Sequence, residues 1–315
     1  MSAPARHALV TGGAGFIGSH LVRALLDRGL AVTVLDNLSV GTRAAVDPRA
    51  RLVDGDVRDR TAVGTALEHA DCVVHLAAQV TIRASFERFY DDVDTNLMGT
   101  LNLVRCLDAQ RVRRVVLASS MGVYADAPSP EPIAESHPCE PIAPYGVSKL
   151  AAERICAQIL VPQGIGVTAL RYFNTYGPGQ TFSPYVGVIT IFITKLLQGQ
   201  PPTIFGDGEQ SRDFIHVADV VAGTIAALDG PPGVYNLGTG RATSVNALAR
   251  FLIDRVRPGL DPVYAPAQPG ELRFSIADGT AARERLGFEP RCRLDTSIDA
   301  VIDAIRRRLA SASPH

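Results

Sequence analysis

Two side chains near the middle of the chain could carry acid–base chemistry. Tyr145 and Lys149 stand four residues apart, and residues at that spacing share one face of a helix. A phenol beside an ammonium has its ionised form favoured, so we expect the pKa of Tyr145 to fall towards working pH. Such a phenolate is a candidate general base for a sugar or alcohol hydroxyl. An exposed helix pair is the alternative, so the rest of the chain must supply a hydride acceptor and a substrate pocket.

A glycine-rich segment near the N-terminus indicates the hydride acceptor. Residues 11–18 lie between a predicted strand and a predicted helix. Glycines there permit a tight turn, and the free N–H groups of a helix start attract a pyrophosphate. Asp36 follows Gly18 by 18 residues, at the end of the next strand, where a carboxylate bonds the adenosine ribose and repels a 2′-phosphate. The pattern predicts NAD rather than NADP, with a glycine loop that binds nothing as the alternative. Asp56 is a candidate contact for the adenine edge.

The elements that must position these residues alternate through the first half of the chain. This β-α-β order predicts a Rossmann-type α/β fold, a doubly wound parallel sheet with helices on both faces. After Phe173, glycines and prolines separate shorter elements, which indicates a smaller, loop-rich C-terminal part. We expect a cofactor domain over 1–172 that also takes back segments near 213–240, and a substrate domain over 173–315. The predicted strands are 7–11, 31–36, 51–54, 72–76, 114–119 and 167–171, and the predicted helices include 16–28, 93–110 and one that begins near Tyr145.

Composition excludes several classes of protein. The chain has 315 residues, 46% of them hydrophobic and 20% charged, with a formal net charge of −1. The length allows a sizeable core, and the charge gives no indication of a nucleic-acid partner. No apolar run reaches the roughly 18 residues that a membrane span needs. The five cysteines are scattered without a C-x-x-C pair, so we expect no metal site, no disulfide framework and a cytoplasmic location.

With these motifs placed, the chain resembles the extended short-chain dehydrogenase/reductase family. Within that family it resembles the NAD-dependent nucleotide-sugar epimerases and dehydratases, especially those of the UDP-glucose 4-epimerase type. The resemblance covers nearly the whole chain, and ordered matching of this kind is more specific than any single motif. The matching segments are 11–18, 36–38, 75–79, 119–124, 145–149, 171–178, 206–220 and 235–240, together with Asn96.

The resemblance implies epimerisation at C4 of a UDP-linked sugar. Tyr145, as a phenolate, would take the proton from the 4-hydroxyl while the C4 hydride passes to NAD. The enzyme-bound 4-keto sugar would turn over in the pocket and take the hydride back on its other face. Lys149 would hold the nicotinamide ribose and depress the pKa of Tyr145, and Ser120 would hydrogen-bond the reacting oxygen.

The resemblance also implies which residues line the two binding sites. The implied NAD contacts are Gly12, Gly15, Phe16, Ile17, Gly18, Asp36, Asn37, Asp56, Val57, Leu76, Ala77, Ala78, Gln79, Asn96, Ser119, Tyr145, Lys149 and Tyr172. The implied substrate contacts are Ser120, Met121, Tyr145, Asn174, Arg212 and Glu271. Among these, Asn174 and Arg212 would meet the diphosphate and Glu271 the ribose. Gln268 stands where the family often has a second phosphate-binding arginine, and Arg273 is a candidate replacement.

Other reactions are less well supported by the residues. The related 4,6-dehydratases place an Asp-Glu pair directly after the catalytic Ser or Thr, whereas this chain has Met121 and Gly122 there. Neither residue can donate or accept a proton, so dehydration is disfavoured. A reductase that uses NADPH would prefer a cofactor site without Asp36. A redox-inactive protein that binds NAD and a nucleotide sugar is the alternative outside enzymes, and the intact Ser120, Tyr145 and Lys149 argue against it.

The sugar is less well defined than the reaction. UDP-glucuronate 4-epimerases often carry a Thr at the position of Asn174 and an Arg shortly after the Tyr-Gly-Pro run. Residues 179–183 contain no Arg, although Arg83 is a possible substitute. Ser275 falls where side-chain bulk limits the space around the C2 substituent. We therefore expect UDP-glucose and UDP-galactose as substrates, with the N-acetylhexosamine pair as a further possibility and UDP-glucuronate as the alternative.

Relatives of this type usually form homodimers through two helices from each subunit. In this chain these are the predicted helix 93–110 and the helix that contains Tyr145. The candidate apolar contacts are Leu97, Leu101, Val104 and Leu150, with burial in the subunit's own core as the alternative.

Overall fold

The computed structural model describes residues 6–80, 82–182, 187–268, 270 and 272–312. The strands are β1 His7–Thr11, β2 Ala31–Asp36, β3 Arg51–Asp54, β4 Cys72–His75, β5 Arg114–Ser120, β6 Gly166–Tyr172, β7 Asn174–Tyr176, β8 Thr203–Phe205, β9 Ser211–His216, β10 Gly233–Leu237, β11 Ala242–Ser244, β12 Val263–Ala265 and β13 Phe274–Ser275. The helices are α1 Phe16–Asp27, α2 Arg60–Leu67, α3 Ile82–Glu87, α4 Phe89–Val93, α5 Gly99–Cys106, α6 Pro144–Leu160, α7 Val188–Leu197, α8 Val217–Asp229, α9 Val245–Val256, α10 Thr280–Leu286 and α11 Leu294–Ala312.

A seven-stranded sheet forms the centre of the molecule. Its order is β10-β6-β5-β4-β1-β2-β3, and all of its strand pairs are parallel. Successive residues of a strand point to opposite faces, so Val10 and Val74 enter one apolar cluster while Leu9 and Val73 enter another. The predicted Rossmann-type α/β fold is confirmed. The order reverses between β1 and β4, and ligands bind at such a switch point beyond the carboxyl ends of the strands.

A second, smaller sheet is built around β9. This strand pairs with β11 in antiparallel fashion and with β7 and β13 in parallel, and helices α7, α9 and α11 cover an apolar cluster beside it. β10 returns to the edge of the main sheet, next to β6, in agreement with the sequence. β9 reaches into the region near 213–240 that was expected to return, but it does not join the main sheet, because its partners all belong to the smaller sheet.

The predicted helix over 93–110 is only partly right. The chain forms α4, then one π-helical turn over Asp94–Met98, and then α5, which ends at Cys106. A π turn places an extra residue in the helix and is frequent at functional sites. Among the described residues, no helix combines the length and the apolar character needed to cross a membrane.

Candidate active site

Tyr145 and Lys149 lie in the first two turns of α6, which begins at Pro144. Proline suits this position because its ring presets a helical φ where no N–H bond is needed. Only 7% of Tyr145 and 6% of Lys149 is exposed. The alternative of an exposed helix pair is therefore excluded. Burial of Tyr145 and Lys149 is costly, because the pair does not consist of two opposite charges. Buried ionisable side chains of this kind are typical of a functional site.

Ser120 connects the end of β5 to this pair. Its hydroxyl accepts a hydrogen bond from the N–H of Gly122 at 3.1 Å, and it is also hydrogen-bonded to the Tyr145 phenol. A Cβ added to Gly122 would lie 3.4 Å from Ser120 Oγ and 3.6 Å from Tyr145 Cδ1. The turn is thus close to both catalytic candidates, and the three predicted residues Ser120, Tyr145 and Lys149 are brought together.

The structure contradicts the predicted fall in the pKa of Tyr145. Burial raises the pKa of Tyr145 to about 12, the hydrogen bond from Ser120 lowers it, and the charge of Asp92 raises it. Burial likewise lowers the pKa of Lys149 to about 8, while Asp92 and Glu153 act to raise it. Desolvation disfavours the charged form of each group, and sequence spacing gives no measure of it.

The glycine loop after β1 has the shape that a pyrophosphate requires. Gly12 has φ of 70°, and a Cβ there would lie 2.8 Å from the Ala77 nitrogen. A Cβ on Gly18 would overlap the carbonyl of Gly12. No side chain caps the start of α1 at Gly15, and its first turn, which contains Phe16 and Ile17, holds no acidic residue. The first N–H groups of α1 are therefore open to an anion, and the loop fits NAD.

Asp36 closes the adenosine side of this loop. Its carboxylate accepts hydrogen bonds from the N–H of Ala14 at 2.9 Å and from the N–H of Leu38 at 2.8 Å. Leu38 has φ of 55°, the one positive value outside glycine among the described residues. Residues held in this sparsely populated conformation cluster at ligand sites. Both carboxylate oxygens keep further lone pairs for ribose hydroxyls.

Asp56 and Val57 are held more firmly than the sequence suggested. The Asp56 carboxylate accepts from Arg58 at 2.7 and 2.8 Å and from Asn37 Nδ2 at 2.8 Å. These bonds, with the Arg58 side chain first, hold the pKa of Asp56 far below its usual range. Val57 is buried in the core, and its carbonyl accepts from Asn102. A contact between the Asp56 carboxylate and adenine would have to compete with these donors.

The loop that follows β4 lies directly against the glycine loop. The N–H groups of Leu76 and Ala77 donate to the carbonyl and the hydroxyl of Thr11 at 3.1 and 3.2 Å, and Ala78 follows. Asn96 fixes the end of this loop, because its Oδ1 accepts from the Gln79 N–H at 2.7 Å and its Nδ2 donates to the Gln79 carbonyl at 3.0 Å. Asn96 thus orders residues that were predicted to contact NAD.

Ser119 and Tyr172 were both predicted to contact NAD, and the structure treats them differently. The Ser119 hydroxyl is buried and has no hydrogen-bond partner among the described residues, which leaves it available to a bound group. The Tyr172 hydroxyl lies 2.8 Å from Thr224 Oγ1 inside the core. Any contact between Tyr172 and a cofactor must come from another part of the residue.

Two of the predicted substrate residues, Asn174 and Arg212, lie on adjacent strands of the smaller sheet. Asn174 begins β7 and donates to the Asp213 carbonyl at 3.2 Å. Arg212 on β9 donates to the Ser211 carbonyl at 3.0 Å, and its partner in β13 is Ser275. Met121 follows Ser120 and is buried. Glu271 lies outside the described residues.

Arg273, the candidate for the phosphate-binding arginine that is missing at Gln268, forms an ion pair at the surface. Its guanidinium is paired with both oxygens of Asp207, at 2.7 and 2.9 Å. Arg83 is also engaged, since its guanidinium lies 4.7 Å from the centre of the Phe205 ring, within the range of a cation–π contact.

Sequence reasoning missed two residues of this site. Asp92 on α4 and Ser148 on α6 are each 2% exposed, and their side chains are 2.6 Å apart. The signal was available, because Asp92 stands four residues before Asn96 and Ser148 directly precedes Lys149.

A buried Tyr–Lys pair with a hydroxyl partner at the switch point of a parallel sheet defines the class of short-chain dehydrogenases and reductases. Residues 8–238 match the model of the NAD dependent epimerase/dehydratase family, and the chain belongs to this family. The predicted family and the predicted cofactor, NAD, are thereby confirmed.

Several relatives match nearly the whole chain. The UDP-glucose 4-epimerase of Mycolicibacterium smegmatis is 35% identical over 309 residues, which cover 95% of this chain and 98% of that protein. The structure of Thermotoga maritima UDP-glucose 4-epimerase with UDP-glucose has a TM-score of 0.92 and 35% identity, covering 96% of this chain and 99% of the other. UDP-N-acetylglucosamine 4-epimerase from Methanobrevibacter ruminantium, in complex with UDP-N-acetylmuramic acid, has a TM-score of 0.91 and 31% identity, covering 97% and 100%.

Proposed function

We propose that this protein is an NAD-dependent nucleotide-sugar 4-epimerase that interconverts UDP-glucose and UDP-galactose. The observation that carries the proposal is the buried group of Ser120, Tyr145 and Lys149, followed by Met121 and Gly122. This group can exchange a proton with a sugar hydroxyl, and neither Met121 nor Gly122 can assist the loss of water. The Mycolicibacterium and Thermotoga relatives, both UDP-glucose 4-epimerases, support the same reaction.

Each residue of the group has a distinct task. Tyr145 takes the proton from the sugar 4-hydroxyl and later returns one, while Ser120 hydrogen-bonds the same oxygen. Bound NAD supplies a reversible acceptor for the C4 hydride. Lys149 provides a positive charge close to the phenol and offsets part of the cost that burial imposes on the phenolate. The buried setting of both side chains keeps bulk water from the 4-keto sugar.

In this proposal, residues of the smaller sheet bind the diphosphate of the substrate. Asn174 and Arg212 meet the phosphates, and Glu271 meets the ribose. Arg212 is half-buried on β9, where a charge-assisted bond to a phosphate is stronger than in open solvent. The proposed division of the chain follows from this, with a cofactor domain over 1–172 plus the segment that contains α8 and β10, and a substrate domain in the remainder.

The N-acetylhexosamine pair is the second candidate substrate. Ser275 has no exposed surface, and its small side chain has a hydroxyl without a partner among the described residues. A larger residue there would fill space that an acetamido group needs. The Methanobrevibacter relative, a UDP-N-acetylglucosamine 4-epimerase, supports this candidate. UDP-glucuronate is disfavoured because Arg83 is engaged with Phe205.

A substrate panel tests the proposal. The purified protein with NAD is incubated separately with UDP-galactose, UDP-N-acetylgalactosamine and UDP-glucuronate, and the products are resolved by proton NMR. We expect conversion of UDP-galactose to UDP-glucose, and conversion of the N-acetyl pair would extend the range. Turnover of UDP-glucuronate alone, or formation of a dehydrated keto sugar, would contradict the proposal.

A cytoplasmic location is also proposed. All five cysteines are free thiols in the structure, as expected in a reducing compartment. Cell fractionation with antibody detection tests it, and recovery with the periplasmic or secreted fraction would contradict it.

A further inference from the structure

A buried carboxylate next to the catalytic pair has no task in the mechanism above. Asp92 on α4 is 2% exposed. Its Oδ1 accepts a hydrogen bond from Ser148 Oγ at 2.6 Å, and its Oδ2 accepts from Asn96 Nδ2 at 3.1 Å. Because Asn96 and Ser148 are also 2% exposed, the carboxylate is fixed from α6 and from the π turn together.

The geometry of α6 connects this carboxylate to both catalytic side chains. Ser148 directly precedes Lys149, and its hydroxyl also donates to the Tyr145 carbonyl at 2.9 Å. A carboxylate held this firmly, at a position where a charge is costly to bury, requires an opposite charge nearby. Burial raises the pKa of Asp92, and the hydrogen bonds from Ser148 and Asn96 and the charge of Lys149 act to lower it. Asp92 is in turn the first of the charged groups that raise the pKa of Lys149.

The other ionisable groups around Lys149 do not replace Asp92. Glu153 on α6 also acts to raise the pKa of Lys149, but its two oxygens are bound to Arg171 at 3.1 and 2.8 Å. Cys156 on α6 is buried, and burial raises the pKa of its thiol to about 12. His75 on β4 is held neutral, since burial lowers its pKa to about 3. On the Asp92 helix itself, Asp91 is exposed and paired with Arg88.

We propose that Asp92, fixed by Ser148 and Asn96, is a positioning residue that holds the first turns of α6 through Ser148 and keeps Lys149 charged near Tyr145. The proposal deepens the proposed function and rests on it only for the assignment of the catalytic pair. Asp92 touches neither substrate nor cofactor in this role, and acts through Lys149.

Removal of the Asp92 charge and a general loss of packing would affect the pH dependence of kcat differently. Removal of the Asp92 charge lowers the pKa of Lys149, because an attractive charge is lost. It also lowers the pKa of Tyr145, which the same charge raises. Tyr145 must lose a proton and Lys149 must keep one, so both limbs of the profile of kcat against pH move to lower pH. A purely structural defect would reduce kcat without moving the limbs.

The sequence permits a direct measurement of Lys149. The chain has two lysines, Lys149 and Lys195. Protein labelled with carbon-13 at lysine Cε therefore gives two side-chain signals, and Lys195→Arg assigns them. In the NAD-loaded protein, Asp92→Asn should move the titration midpoint of Lys149 down by about 1 pH unit or more, as expected for loss of a close opposite charge. Lys195 serves as the internal reference.

Asp91→Asn is the matched control, because it removes the neighbouring, exposed carboxylate. It should leave the Lys149 midpoint and the pH profile unchanged. If Asp92→Asn does not fold, Ser148→Ala removes only the hydroxyl donor and should shift the Lys149 midpoint in the same direction by less. An unchanged Lys149 midpoint in a folded variant of Asp92 or Ser148 overturns the proposal, as does an equal shift in Asp91→Asn. Failure of the wild type to epimerise UDP-galactose would reject the proposed function instead, since the titration requires no turnover.

Discussion

Tyr145 must give up a proton in a setting that disfavours its charged form. Desolvation raises the pKa of Tyr145 to about 12, so the positive charge of Lys149 has to offset part of the cost of ionising the phenol. The identity of the catalytic group could be read from the sequence, because the types and the order of Ser120, Tyr145 and Lys149 are sufficient. The protonation state could not, because it depends on how much water the folded chain removes.

Substitution of Tyr145 by Phe tests the role of the phenol. The variant lacks the proton acceptor but keeps the ring, so kcat should fall by about 10²–10⁴-fold while NAD remains bound. Turnover is measured with UDP-galactose, and NAD is quantified after release from the denatured protein. Tyr90→Phe is the control, since Tyr90 is 75% exposed. Turnover of Tyr145→Phe near the wild-type rate would remove the phenol from the mechanism.

At the scale of elements, the strands of the main sheet were predictable and the helix after α3 was not. Buried parallel strands read as short apolar runs between glycines and polar residues, so β1, β2 and β3 match their predicted bounds and β4, β5 and β6 differ by a residue or two. The π turn at Asp94–Met98 leaves no such signal, because apolar spacing is similar on either side of it. Asn96, inside this turn, was predicted as a contact for NAD, but its bond to Asp92 was not.

The glycine loop between β1 and α1 gives a prediction about this element. Gly18→Ala places a methyl group against the carbonyl of Gly12, so the loop must shift, and we expect the free energy of unfolding to fall by about 1–3 kcal/mol. NAD should no longer copurify with the protein. Urea unfolding and the absorbance of released cofactor measure the two effects.

Gly64→Ala is the control for this substitution. Gly64 lies within α2, and a Cβ there meets no atom within 4 Å. The variant should keep NAD, and its free energy of unfolding should rise by about 0.5–1 kcal/mol, because glycine is unfavourable inside a helix. If Gly18→Ala keeps NAD and has wild-type stability, the close approach between Gly18 and the Gly12 carbonyl is not required for either property.

At the scale of the whole molecule, we propose that two copies associate through the surface that α4, the π turn and α6 present. Of the four residues suggested by the sequence, Val104 is buried in the core of its own subunit, and Leu150 packs against another internal cluster. Leu97 and Leu101 are half-buried. The large apolar side chains left exposed on these elements are Phe89, Tyr90, Val93, Met98, Val147 and Ile159.

Met98→Glu tests this association. Met98 is 51% exposed, so the substitution is compatible with the folded subunit, but a charge in an apolar interface has no partner and is costly to desolvate. Sedimentation velocity should show a dimer for the wild type and a monomer for the variant. Val40→Glu, at a loop residue that is 69% exposed, should remain dimeric. A monomeric wild type would contradict the proposed dimer. A dimeric Met98→Glu variant would show that the interface lies on another surface.

The return of β10 to the edge of the main sheet has a consequence for recombination between related genes. β10 pairs with β6 through residues such as Tyr235 and Leu170, and α8 packs its apolar side chains into the same cluster as α1. A single exchange of genes near residue 172 would therefore join a sheet from one parent to an edge strand and a covering helix from the other. Exchange of substrate preference between relatives should succeed when two further crossovers, on either side of residues 217–237, keep this segment with the parent that donates the first six strands.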